Sequence, residues 1–108
     1  MSLARIDQTT FEMVFPNSKN YFLLCVQTSP TLDENLLKII EIISNRFSKK
    51  LQTYLVVEND LGFFQNRFNF WGTPTYILLQ NGMEKGRLLG AVSKQTMIKF
   101  ISNNLNKA

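Results

Sequence analysis

The chain has 108 residues, 44% of them hydrophobic and 19% charged, a balance that lets a polypeptide of this length bury a core without disulfide staples and separates it from disordered chains. Its one cysteine, Cys25, excludes an intramolecular disulfide, and the lack of histidine removes the commonest metal ligand and the commonest general base. The net charge of +4 is scattered along the sequence from Arg5 to Lys107, which argues against nucleic acid as a partner, because non-specific attraction needs several phosphate contacts from one face.

Met1 to Leu3 carry no pattern and are set aside as a leader, with residues 1–108 read as one domain. Ala4 to Ile6 is read as a short edge strand and Thr10 to Phe15 as a brief helix ended by Pro16, since proline biases its predecessor out of helical geometry. Tyr21 to Gln27 is nearly continuous in apolar residues and of strand length, so it reads as a strand buried on both faces with Cys25 in the core. From Thr31 the period becomes helical. Leu36, Ile39, Ile40, Ile43 and Phe47 recur on one side, Leu37 and Ile42 widen the stripe, and either Ser29 or Thr31 supplies the cap, Thr31 with Glu34 as a capping box.

Leu51 to Val57 is the next strand, and Asp60 is placed to cap a short helix with Leu61, Phe64 and Phe68 on one side. Tyr76 to Gln80 and Glu84 to Leu89 flank Asn81-Gly82, whose tolerance of positive φ predicts an antiparallel hairpin. Gly82, Gly86 and Gly90 are read together as hairpin glycines and not as a phosphate loop. Ser93 caps a last helix built on Met97, Phe100, Ile101 and Leu105. The expected order is β-α-β-α-β-α-β-β-α, an α/β domain with a central mixed sheet covered by helices on both faces.

The apolar run Tyr21 to Val26 is far shorter than the roughly 18 residues a membrane span requires. The first residues also lack a charged region followed by an apolar one. The expectation is a cytoplasmic protein with no membrane or nucleic-acid partner, no cofactor and no metal.

The element order, together with Gly72-Thr73-Pro74-Thr75, Asn81-Gly82 and Gly90-Ala91-Val92-Ser93-Lys94 in register, resembles the C-terminal half of thioredoxins. The likeness extends with less detail from about Ile6 to Leu105. In that family a Trp-Cys-Gly-Pro-Cys motif joins the second strand to the long helix; here the junction reads Ser29-Pro30-Thr31-Leu32-Asp33, with Pro30 and Asp33 where a gapless match puts the two cysteines. Dithiol exchange needs one thiolate to attack a disulfide and a second thiol to resolve the mixed disulfide, so the resemblance implies the fold without its redox chemistry. The buried acid that the family typically carries in the preceding strand is replaced by Leu24 or Cys25.

Thr73-Pro74 resembles the family's cis-proline, whose preceding backbone pairs with an extended substrate peptide; without the resemblance the dipeptide reads as a turn. Trp71 reads equally as a core residue or as an anchor beside that groove. The leading functional expectation is a non-catalytic module that holds a protein or extended peptide in a groove of Pro30, Leu32, Trp71, Thr73 and Pro74. The alternatives are a monothiol redox protein acting through Cys25, and a structural subunit or decayed paralogue.

Overall fold

A computed structural model of the chain describes residues 4–17, 19–27, 34–56, 58–72 and 74–105. Among them run β1 (Ala4–Ile6), α1 (Gln8–Val14), β2 (Tyr21–Val26), α2 (Glu34–Arg46), β3 (Leu51–Val56), α3 (Leu61–Phe68), β4 (Thr75–Gln80), β5 (Met83–Leu89) and α4 (Lys94–Leu105). The result is a mixed α/β fold, five strands in one mixed sheet with four helices. Its order departs from the expected alternation by two interposed 3₁₀ turns, Phe15–Asn17 and Glu58–Asp60. None of these helices is long and apolar enough to cross a membrane.

The strands lie in the order β1-β3-β2-β4-β5, with β1, β3 and β2 parallel and β4 and β5 each antiparallel to its neighbour. The path from β1 to β2 passes over the position of β3, and the path from β2 to β3 turns back. With a fixed handedness of crossover, that reversal puts α1 and α2 on opposite faces. The two cores have that arrangement. Phe22, Leu24, Val26, Ile77 and Leu79 pack with Phe11 of α1 and Phe64 and Phe68 of α3, whereas Leu23, Cys25, Tyr76 and Leu78 pack with Ile40 and Ile43 of α2 and Met97 and Ile101 of α4.

Several local details differ from the sequence expectation. The brief helix begins at Gln8, because Asp7 is its N-cap and accepts the Thr10 N–H at 2.8 Å. Asp60 makes no side-chain cap on α3; its carboxylate instead accepts the Gln8 N–H at 2.8 Å, so it satisfies a free donor at the start of α1 from 52 residues away. Ile42 is 40% exposed and does not widen the buried stripe of α2. The expected α2 caps, Ser29 and Thr31, lie outside the described residues.

Asn81 and Gly82 both have positive φ, 54° and 74°, as the hairpin requires. A bulge between Leu78 and Leu79 then changes the pairing: Leu79 faces Glu84, but Leu78 faces Gly86 and Ile77 faces Arg87. Gly86 is therefore a packing glycine and not a turn glycine. A Cβ there would lie 3.1 Å from the Phe100 ring of α4, so the missing side chain is what lets the helix approach the strand. Ser93 caps α4 as expected, accepting the Thr96 N–H at 3.1 Å.

The ring of Phe11 stacks on Phe15 at 4.7 Å and meets Phe64 and Phe68 edge-on at 5.2 and 5.7 Å. This cluster fastens a helix of only seven residues, too short to be stable by itself. Phe11→Ala is expected to lower the unfolding free energy by about 3–5 kcal/mol, measured by urea denaturation; a loss below about 1 kcal/mol would mean that the ring cluster does not anchor α1. Asp60→Ala is expected to cost about 1 kcal/mol in the same assay, the typical worth of a capping acceptor.

Candidate functional site

Val26, the last residue of β2, pairs with Thr75, the first of β4. The loop before β4 thus lies at the carboxyl end of the parallel strands, where the chain also leaves β2 through Gln27. Of the five residues expected to form a groove there, Trp71 and Pro74 are described, whereas Pro30, Leu32 and Thr73 lie outside the described residues, as do Ser29, Thr31 and Asp33. Trp71 is 88% exposed, which removes its reading as a core residue. Pro74 is half-buried.

Exposure of the chain's one tryptophan is not a sign of a loose loop. Phe70, its neighbour, is buried in the core beneath α1 and α3. Asn69 ends α3 in the left-handed region, φ 57°, and its N–H returns to the Gln65 carbonyl at 2.7 Å. Thr75 Oγ1 donates to the Gly72 carbonyl, and the Gly90 N–H donates to the Pro74 carbonyl at 2.8 Å. The loop is held on both sides of Trp71, whose side chain faces solvent.

Arg87 of β5 completes the support. Its guanidinium forks onto Glu84, with both contacts at 2.6 Å, and Nη2 also donates to the Phe68 carbonyl at 2.7 Å. The hydrogen bond to Glu84 raises the Arg87 pKa above its ordinary value. The bond to Phe68 satisfies a carbonyl in the last turn of α3, where a cation also complements the helix dipole. Arg87 is thereby a positioning residue for the loop that starts one residue later. Asn69, Phe70, Trp71, Arg87 and Leu89 line a shallow cleft of about 200 Å³, and Leu89 is 64% exposed across from the tryptophan.

Arg87 and Leu89 were not among the expected site residues. A plain two-residue hairpin on Asn81-Gly82 would set Ile77 opposite Gly86 and Tyr76 opposite Arg87, placing Arg87 on the α2 and α4 face. The bulge turns that face over, because cross-strand partners share a face and Ile77 points toward α1 and α3. The signal that was available is Gly86 itself, since an isolated glycine within a strand pattern marks a bulge or a close approach.

Cys25 is 2% exposed on the α2 face of β2, with Leu55 and Tyr76 as its cross-strand partners. Burial pushes its thiol far above the usual range, since no hydrogen bond or cation offsets the loss of water around a thiolate. Nucleophilic and redox chemistry both begin from the thiolate, so this sulfur lacks the condition a monothiol mechanism needs. Among the described residues, no group of three or more His, Cys, Asp and Glu is arranged to hold a metal ion.

A thiol reagent is expected to leave Cys25 unlabelled in native protein over the time in which denatured protein labels fully. Native labelling at a comparable rate, especially below pH 7, would place the thiol at the surface and restore the monothiol reading. No protein-family profile matches the chain, and no curated protein matches it.

Proposed function

We propose that this protein is a thioredoxin-like binding module without redox chemistry, which holds an extended segment of a partner protein across the loop 69–74 with Trp71 as its anchor. The observation that carries the reading is Trp71 itself, 88% exposed on a loop pinned at Phe70, Asn69, Gly72 and Pro74. An exposed tryptophan on a backbone held at neighbouring residues offers a large apolar face and leaves less backbone to order on binding, the properties of an interface anchor. Leu89 gives a second apolar contact across the cleft. Arg87 directs its fork at Glu84 and Phe68, so its part is to hold the loop and not to hold the ligand.

Two further features support the thioredoxin-like reading. The resemblance is supported by Gly72, Pro74 and Thr75 at the entry to β4, Asn81-Gly82 at the hairpin, and Gly90 to Lys94 from the end of β5 to the first residue of α4. In open α/β sheets, ligands gather outside the carboxyl ends of the parallel strands where successive helices take opposite faces, and here α2 and α3 follow the adjacent strands β2 and β3 to opposite faces. The family resemblance supplies the binding mode, an extended peptide paired with the backbone beside Pro74. A single buried thiol and no disulfide suit a reducing compartment such as the cytoplasm.

The test is a selection of linear peptides from a random display library against the intact chain, followed by calorimetric titration of the selected peptides into the parent chain and Trp71→Ala, with Trp71 emission as a second readout on the parent. Peptides that bind are expected to shift the emission of this lone tryptophan, and Trp71→Ala is expected to weaken them by about thirtyfold, a hot-spot-sized loss of ~2 kcal/mol. Selected peptides that bind Trp71→Ala as well as the parent would remove this loop as the site.

A further inference from the structure

At the opposite end of the sheet lies a cleft that the peptide reading does not use. Leu51 at the start of β3 pairs with Tyr21 at the start of β2, so the turn from α2 into β3 marks the amino end of these strands. Between that turn and the last part of α4 is a cleft of about 390 Å³, within the size range of small-molecule sites. Its frame is fixed. The Lys50 and Leu51 N–H groups both donate to the Phe47 carbonyl, at 2.9 and 2.8 Å, and Tyr21 ties the end of α4 to β2 by donating from its hydroxyl to the Asn104 carbonyl at 3.3 Å.

Three cations line the cleft: Arg46, Lys49 and Lys50. The sequence has no Asp or Glu from Ile42 to Val57, nor from Lys85 to Ala108, so the two stretches that build the cleft carry no acidic side chain. None of the three cations forms an ion pair with a described residue. Asn45, Ser48 and Ser102 add hydrogen-bond donors, and Phe47 and Leu105, partly buried against the core, give an apolar floor. Arg46 lies 6.0 Å from the centroid of the Phe47 ring, which keeps a guanidinium beside that floor. A cation in the last helical turn commonly serves the helix dipole. That accounts for Arg46, but not for Lys49 and Lys50 beyond the helix or for the apolar floor they surround.

We infer that this cleft binds a small phosphorylated molecule whose phosphate meets Arg46, Lys49 and Lys50 and whose aromatic or aliphatic body rests on Phe47 and Leu105. Three cations with no ion-pair partner among the described residues match a dianion better than a single carboxylate, and guanidinium and ammonium groups are the usual phosphate partners. The apolar floor selects an ester over the free ion, because bare phosphate has nothing to place there. This inference is independent of the peptide reading, since the two sites occupy opposite ends of β2.

The experiment is an amide NMR titration of the intact chain with phenyl phosphate, with inorganic phosphate as comparator at the same ionic strength. Phenyl phosphate is expected to shift amides within 45–50 and 102–105 and to bind about fivefold or more tightly than inorganic phosphate. The exposed double variant K49Q/K50Q is expected to weaken phenyl phosphate about fivefold, with K94Q, at the far end of α4, as a variant that leaves binding unchanged. Three outcomes each overturn the inference: shifts spread over lysines around the whole surface, equal binding of the two probes, or undiminished binding by K49Q/K50Q.

Discussion

The antiparallel pairing of β2 with β4 is the constraint to which every other layer is fastened. From Phe22 to Val26 and from Thr75 to Leu79 every side chain is buried, whichever face of the sheet it points to. Each strand therefore contributes to two cores at once, and no position along this pair is free to meet solvent. Removal of water from both faces also accounts for Cys25. Its thiol lies where a packed core wants a small apolar group, and the same burial that makes it a good core residue raises its pKa, away from the thiolate.

A sheet whose centre is sealed on both faces can act only at its ends and edges. At the carboxyl end, a phenylalanine buried in the core stands next to an exposed tryptophan. Arg87 supports their loop from a neighbouring strand, satisfying the end of α3 and meeting Glu84 in the same fork. At the amino end, the turn out of α2 gathers positive charge over a partly apolar surface. The two ends are chemically unlike: an exposed tryptophan and Leu89 stand at one, three cations at the other.

Much of the fold was legible in local pattern. The near-continuous apolar run of β2 predicted a strand buried on both faces, and the helical recurrence of Leu36, Ile40 and Ile43 predicted the buried face of α2. Asn81-Gly82 predicted its own turn through backbone sterics, and Ser93 predicted its cap through a single hydroxyl. These features depend on residues a few positions apart. Asp60 was legible only in part for the complementary reason: it stands at the N-cap position of α3, as the local signal says, yet the donor its carboxylate satisfies, the Gln8 N–H, is distant in sequence and adjacent only after β1 and β3 have paired.

The candidate site divides along the same line. By itself the sequence determined that no dithiol is present, that Cys25 belongs in a strand and that a tryptophan stands just before Gly72-Thr73-Pro74-Thr75, because those are statements about composition and order. Whether Trp71 faced the core or the solvent was undecided until Phe70 took the buried place beneath α1 and α3. The bulge beside Leu78 was likewise decided by tertiary packing. Phe100 of α4 comes down on Gly86, and Leu88 packs into the core on that side, which requires every residue from Gly86 onward to change face. Hairpin sterics fix a register only near the turn, whereas the packing of a distant helix against the strand decides which side chains reach the site.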